Sequence, residues 1–327
     1  MESLFSDYGL FLLELLTIAV VVVAAALIVV SAAKKPHEQN RLVVEHINKS
    51  LEQRADAARR TILGRRDSRK LIRERKKTKK RGTATEASAK KRRRVFVLDF
   101  KGDIRASATE SLREEVSTVL ALAEDKDEVL LRLENSGGTV HEHGLAASQL
   151  LRLRSRGIHL TVAVDKVAAS GGYLMACAAD RIIAAPFAII GSIGVLVQLP
   201  NFHRMLEHKG IDFELLTAGR FKRTLTLFGE NTDEGREKLR QEIIDVHELF
   251  QQRVKELRPA VDLEMVATGE HWYGSHALEL NLIDEIGTSD DFMLGAAETA
   301  DLYRIRYRRQ RKLIERMLQG AEGVLYR

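Results

Sequence analysis

From Val95 onward, short apolar runs alternate with amphipathic stretches of helical length, and this alternation narrows the possible folds most. Val95–Phe100, Glu128–Leu133, Ile158–Val164 and Arg181–Ala185 read as strands. Ser107–Asp125, Val140–Arg154, Tyr173–Ala179 and Asn201–Lys209 read as helices. Strands that alternate with helices predict an α/β domain with a largely parallel sheet. A further strand is expected at Phe213–Thr217, and a long helix at Thr232–Leu257. Only four prolines occur, and none marks a break inside this domain.

Ahead of the domain lie two segments of different character. Leu10–Val30 is 21 residues long, with Glu14 and Thr17 as its only polar interruptions. At 1.5 Å per residue such a run spans roughly 30 Å, the thickness of a bilayer core. Ser31-Ala32-Ala33 resembles a cleavage site. However, no basic residue precedes the run, which is also longer than a signal-peptide core. A retained anchor over residues 1–33 is the expectation. Residues 34–94 carry 23 Lys and Arg against 7 Asp and Glu, a net of +16, whereas residues 1–33 carry −3. The whole chain is +6, so residues 95–327 carry 6 − 16 + 3 = −7. The basic character therefore belongs to one segment, read as a partly helical linker with a flexible joint at 82–89. That segment has no aromatic residues interleaved with its charges, so anionic lipid or solvent is its expected partner rather than nucleic acid. Lys34, Lys35, Arg41 and Lys49 follow the span, and the positive-inside rule puts the bulk of the chain in the cytoplasm. The domain at 95–327 is expected to end in a basic helix.

Four places carry possible chemistry. Ser170 sits between a strand and a helix, flanked by Ala168-Ala169 and Gly171-Gly172. A serine there can cap the helix, a role for which serine is a preferred residue. It can equally act as a nucleophile, since Gly171 and Gly172 let a peptide backbone approach. Asn135-Ser136-Gly137-Gly138 follows a strand, and its paired glycines can present N–H groups to an oxyanion or form a plain turn. His141 and His143 invite a metal reading, but two residues of spacing puts them on different sides of a helix. Lys222 lies between Arg220 and Arg223, where like charge and burial would favour a neutral amine able to take a serine proton. The plainer reading leaves all three cations in water. Cys177, the single cysteine, excludes an intramolecular disulfide and a cysteine-rich zinc site. Its apolar surroundings argue against a nucleophilic thiol.

The order of these motifs resembles the signal peptide peptidase A family, membrane-anchored bacterial serine proteases with a Ser–Lys dyad. Ser136-Gly137-Gly138, Ala169–Tyr173, Gly191-Ser192-Ile193-Gly194-Val195 and Ala218–Lys222 carry the resemblance. It extends through Thr224–Leu227, Gly229–Thr232 and Ala267–Gly274, and covers about residues 95–310. The separation 222 − 170 = 52 matches the short, single-repeat members. The resemblance implies a Clp protease/crotonase-like spiral of ββα units. It implies Ser170 as nucleophile, Lys222 as general base, and an oxyanion hole from the N–H groups of Gly138 and Gly171. Gly137, Gly172, Gly191, Ser192 and Gly194 would line the substrate, and no metal or cofactor is implied. The implied activity is an inner-membrane endopeptidase working through an acyl-enzyme on short or unfolded peptides, such as remnant signal peptides. In the family's duplicated members, serine and lysine sit in different repeats. A single-repeat chain would therefore share its dyad between neighbours in a homo-oligomeric ring.

Two departures follow. The family usually reads Ser-Pro-Gly-Gly where this chain has Asn135-Ser136-Gly137-Gly138, so the loop loses a stiffening proline. Relatives work on the periplasmic side, whereas the flanking charges place this domain in the cytoplasm. Two other functions compete: crotonase-like acyl-CoA chemistry, and a non-catalytic membrane scaffold. The first needs neither the serine pocket nor an anchor, and the second leaves Ser170 and Lys222 without a task.

Overall fold

The computed structural model describes residues 41–64 and 92–308 continuously, together with residues 13, 15–23, 67, 69, 73 and 74. The chain divides into two units, Met1–Arg41 with Arg309–Arg327, and Leu42–Arg308. In the first, residues 15–23 are helical. The expected span Leu10–Val30 lies largely outside the described residues, as do the joint 82–89 and the C-terminal basic helix. Among the described residues no helix is long and apolar enough to cross a membrane.

The second unit is α/β. Strands β1 (Arg41–His46), β2 (Arg94–Lys101), β3 (Glu128–Glu134), β4 (His159–Val164), β6 (Arg181–Ala184), β9 (Glu285–Ile286) and β10 (Asp301–Arg308) form a seven-stranded sheet, ordered β1-β10-β2-β3-β4-β6-β9. From β10 to β9 every neighbour pair is parallel. A second sheet, ordered β5-β7-β8, is made of β5 (Val167–Ala169), β7 (Ile189–Gly191) and β8 (His271–Tyr273). Strands β4 and β6 thus each lead from the large sheet into a short strand of the small one.

Alternation along β2 explains its two covered faces, since successive side chains of a strand point to opposite sides. Phe96, Leu98 and Phe100 join a core with Leu112, Val116 and Val119 of α2 (Thr109–Leu122) and Leu150 and Leu153 of α3 (Val140–Ser155). Val95 and Val97 face the other way, onto Met293 and Ala296 of α9 (Ser289–Thr299) and Ile47 of α1 (Ile47–Ile62). A strand covered on both faces reads as an unbroken apolar run, as Val95–Leu98 does.

The folded unit takes in residues assigned from composition to the basic linker. Asn48 on α1 donates to the carbonyls of Ala297 and Ala300 and accepts from Leu302 N–H at 2.7 Å. Those bonds, with β1 beside β10 in the sheet and Ile47 in the core, tie this segment to the folded unit, which charge counting passes over. The remaining helices are α4 (Gly171–Cys177), α5 (His203–His208), α6 (Asp233–Leu257), α7 (Leu263–Val266) and α8 (Gly274–Glu279). The strand expected at Phe213–Thr217 does not form. All five residues are exposed, and among the described residues their backbone has no partner strand.

Candidate active site

Ser170 stands where the small sheet meets α4. Ala169 pairs with Gly191 across β5 and β7, and Ser170 N–H donates to Gly191 O at 2.7 Å. On the other side Leu174 N–H donates to Ser170 O at 3.0 Å. Held from both sides, Ser170 takes φ 51° and ψ −123°, outside the regions a side chain favours. Such a conformation costs of order 1–3 kcal/mol and persists only where neighbours over-determine it. Its side chain makes no capping bond to α4, so the hydroxyl is not occupied as a cap. Behind it, α4 is fixed by Tyr173, whose hydroxyl donates to Leu282 O at 2.9 Å. Burial pushes the Cys177 thiol up to about 12, which makes it inert as a nucleophile.

The loop after β3 lies directly against this serine. A Cβ added to Gly137 would stand 2.7 Å from Ser170 Cβ and 2.9 Å from Gly171 N. Gly138 presses on the neighbouring 103–107 turn, where an added Cβ would meet Ile104 O at 2.1 Å. Asp103 braces that turn, accepting from Arg105 N–H, Ser107 N–H and the Ser107 hydroxyl; these bonds hold its carboxyl below the ordinary range against a desolvation that acts the other way. Among the described residues, neither Gly138 N–H nor Gly171 N–H donates to another group of the chain. Asn135 fixes this loop. Its backbone pairs with β5 through Val167 O at 2.9 Å and Ala169 N–H at 3.0 Å, and its Oδ1 accepts from Gly137 N–H at 2.9 Å. The sequence carries little signal of this role, since β3 already holds Arg132 and Glu134 ahead of Asn135.

The other expected substrate-lining positions separate. Gly172 is buried, and an added Cβ would stand 2.1 Å from Asn135 O, so its small size serves close packing rather than substrate contact. Gly191 is also buried, against Trp272. Ser192 and Gly194 are half-buried and lie beside Gly269: Ser192 N–H donates to Glu270 O at 2.8 Å, and a Cβ on Gly194 would stand 3.0 Å from Gly269 Cα. Two motifs almost eighty residues apart thus form one wall. His141 is exposed and His143 buried, and among the described residues no group of three His, Cys, Asp or Glu side chains is placed to hold a metal ion.

Lys222 sits in a different environment. It is exposed, in a turn closed by Lys222 N–H donating to Gly219 O at 3.1 Å, where Gly219 has φ 99°. Arg220 is ion-paired with Glu234 and lies over the Phe221 ring at 5.1 Å, so its charge is matched rather than turned on the lysine. The following turn is a rigid brace: Thr226 N–H donates to Asn231 Oδ1, and Asn201 Nδ2 bonds both Thr226 O and Gly229 O. Among the described residues no hydrogen bond joins Ser170 to the Lys222 amine. The burial expected for Lys222 from sequence is not present within one chain.

Two family models match the chain, "Peptidase family S49 N-terminal" over residues 3–150 and "Peptidase family S49" over residues 152–303. A probable protease SohB of Haemophilus influenzae is 55% identical over 228 residues, 70% of this chain and 65% of the relative. A probable protease SohB of Buchnera aphidicola subsp. Acyrthosiphon pisum is 56% identical over 225 residues, 69% of this chain and 67% of the relative. The matched part thus spans just under two thirds of the Haemophilus protein. Among solved structures, the 1510-N membrane-bound stomatin-specific protease in complex with a substrate peptide aligns with 70% of this chain and 98% of its own, at 10% identity and a TM-score of 0.46.

Proposed function

This chain belongs to peptidase family S49, and from that premise we propose that it is a membrane-anchored serine endopeptidase with Ser170 as nucleophile and Lys222 as general base. The observation that carries the reading is the state of Ser170: a backbone at positive φ, a hydroxyl free of capping, and the free N–H groups of Gly138 and Gly171 beside it. In this mechanism Ser170 Oγ attacks the scissile carbonyl while its proton passes to the Lys222 amine. The carbonyl oxygen gains negative charge and takes hydrogen bonds from Gly138 and Gly171 N–H. Collapse of the tetrahedral species expels the amine with the proton from lysine and leaves an acyl ester on Ser170. Water, deprotonated by the same amine, then releases the acid.

The amine that completes this site comes from a second copy of the chain, in a homo-oligomeric ring of ββα-spiral domains. The exposure of Lys222 and of the apolar side chains around it supports this reading. The substrates are short or unfolded peptides, remnant signal peptides among them. The anchor is Leu10–Val30, with the basic flank from Lys34 against anionic lipid on the cytoplasmic side.

A fluorophosphonate probe applied to the full chain in lipid tests the chemistry. Labelling of Ser170 in the wild type, and loss of both label and peptide hydrolysis in Ser170→Ala, is the expected result. Turnover retained by Ser170→Ala removes the serine from the mechanism. A crotonase-like acyl-CoA enzyme would leave Ser170 unlabelled from the start.

A further inference from the structure

His143 belongs to the inward face of α3, with Ala146, Ala147, Leu150 and Leu153, and it is fully buried. A buried imidazole is costly unless its nitrogens find partners. Nδ1 lies 2.9 Å from Thr139 O, and Nε2 lies 3.3 Å from Asn135 Oδ1. The amide of Asn135 is held on two sides. Its Oδ1 accepts from Gly137 N–H, and its Nδ2 faces Met175 Sδ at 3.3 Å. Thr139 O can only accept, so Nδ1 donates to it, and Nε2 lies against the Asn135 amide. The same ring also touches the other arm of the site: a Cβ on Gly171 would stand 2.5 Å from His143 Cγ and 2.6 Å from His143 Cβ.

One side chain thus underlies both backbone N–H groups assigned to the oxyanion. It reaches the Gly137–Gly138 loop through Asn135, and it contacts Gly171 directly. Building on the reading of Ser170 as nucleophile, we propose that His143 is a positioning residue that sets the spacing of the Gly138 and Gly171 N–H donors through its contact with the Asn135 amide and its packing under Gly171. It touches neither substrate nor the reacting atoms. Its effect belongs to the tetrahedral state, in which N–H groups must meet an oxygen that has moved and gained charge. A displacement of such donors lowers kcat rather than substrate binding.

The test compares wild type, His143→Ala and His143→Gln in the full chain in lipid, with active sites counted by fluorophosphonate. In His143→Ala, kcat per labelled site falls about 10- to 100-fold while KM changes less than about threefold. Affinity for a peptide aldehyde, which forms a tetrahedral adduct on Ser170, falls by the same factor as kcat. His143→Gln, whose amide can bond the Asn135 amide, recovers a substantial part of both. A merely structural histidine would lower the number of labelled sites and leave kcat per site unchanged, and that result overturns the proposal. An independent readout needs no variant. In wild-type chain isotope-labelled at histidine nitrogen, the His143 Nε2 resonance should move when the aldehyde adduct forms. A resonance unmoved by the adduct also overturns the proposal. A wild type that neither hydrolyses peptide nor labels at Ser170 defeats the functional reading itself, and the inference with it.

Discussion

Between Leu160 and Ala184, around Ser170, most side chains are buried; between Leu196 and Phe228, around Lys222, the large apolar side chains are mostly exposed. Leu216 is 92% exposed and Leu196 76%, and the ring pairs Phe202–Phe228 and Phe213–Phe228 lie on a segment with almost no buried residue. The first region is over-determined by its own chain and can hold a serine in a strained conformation. The second keeps its turns but has no core of its own. Soluble monomers rarely leave so much apolar surface in one place. The difference teaches that the two halves of the candidate site are built differently: the serine half is held by packing within the chain, whereas the lysine half leaves its apolar side chains exposed.

The largest effect that can break this comparison is loss of the chemistry from either half. Ser170→Ala and Lys222→Ala should each lower peptide hydrolysis by at least about a thousandfold, in keeping with the loss of a nucleophile or its base. Neither should melt more than a few degrees below the wild type. If the halves meet across an interface, mixing the two inactive proteins under exchange of subunits restores part of the activity. Mixed oligomers that stay inactive would show that one chain supplies both groups.

A matched pair of glycine substitutions sharpens the contrast through stability. Gly172→Ala drives a Cβ to within 2.1 Å of Asn135 O, with backbone on both sides of the clash. It should cost more than about 3 kcal/mol, seen as a large fall in melting temperature. Gly219→Ala in the lysine turn meets only Lys222 Cβ, at 3.9 Å, and strains a backbone at φ 99°. Its cost should stay near about 1–2 kcal/mol. Equal losses from the two would show that the exposed arm is as tightly determined as the serine loop.

The same contrast explains what could be read from the sequence. Strands β2, β3, β4 and β6 start within one residue of their expected positions, because a strand covered on both faces leaves an apolar run. Helix α3 likewise starts at Val140 as expected. Strands β5, β7 and β8 have three residues each, too few for any period to register. Phe213–Thr217 has a strand-like composition but no partner strand among the described residues, and pairing is a tertiary property that composition does not carry. Within the candidate site, Ser170 stood out because its flanking residues are all small. Its positive φ did not stand out, because serine carries no mark of the left-handed region. His143 was visible only as half of a His-x-His pair, since nothing local says that Asn135 will face it.

The packed region also carries a charge that should make its stability depend on pH. Glu115 on α2 is buried, and its carboxyl is pushed up from 4.5 to about 7, first by desolvation. Tyr307 N–H donates to it at 2.8 Å and opposes the shift, Asp99 adds to it, and Arg306 opposes it. The folded state therefore holds a proton that the unfolded chain releases at lower pH. This contribution is fully present below about pH 4.5, is lost as pH rises through about 7, and is flat above that. Up to about 3 kcal/mol is at stake. Glu115→Gln should remove this slope between pH 5 and 8 in denaturant titrations and melt higher than wild type at pH 8. An unchanged slope would mean that the carboxyl finds water in solution, and that this part of the core is looser than its burial indicates.

The smallest effect is expected where the comparison is most exposed to refutation. Leu216 touches little within its own chain, so Leu216→Ser removes almost no buried surface from the isolated fold. Away from caps, cores and strained positions, such a change alters stability by about 0.5 kcal/mol or less. At a concentration where the protein is monomeric, its denaturant midpoint should match the wild type. Under assembling conditions the same substitution should lower the oligomer fraction in sedimentation, and activity should fall with that fraction rather than with the folded fraction. If the arm packs against another copy, the cost appears only on association and grows with dilution. If Leu216→Ser instead lowers the midpoint of the monomer by a kilocalorie or more, the arm packs on its own chain in solution. Lys222 would then be held by that chain as firmly as Ser170 is, and the argument for a shared site would lose its physical basis.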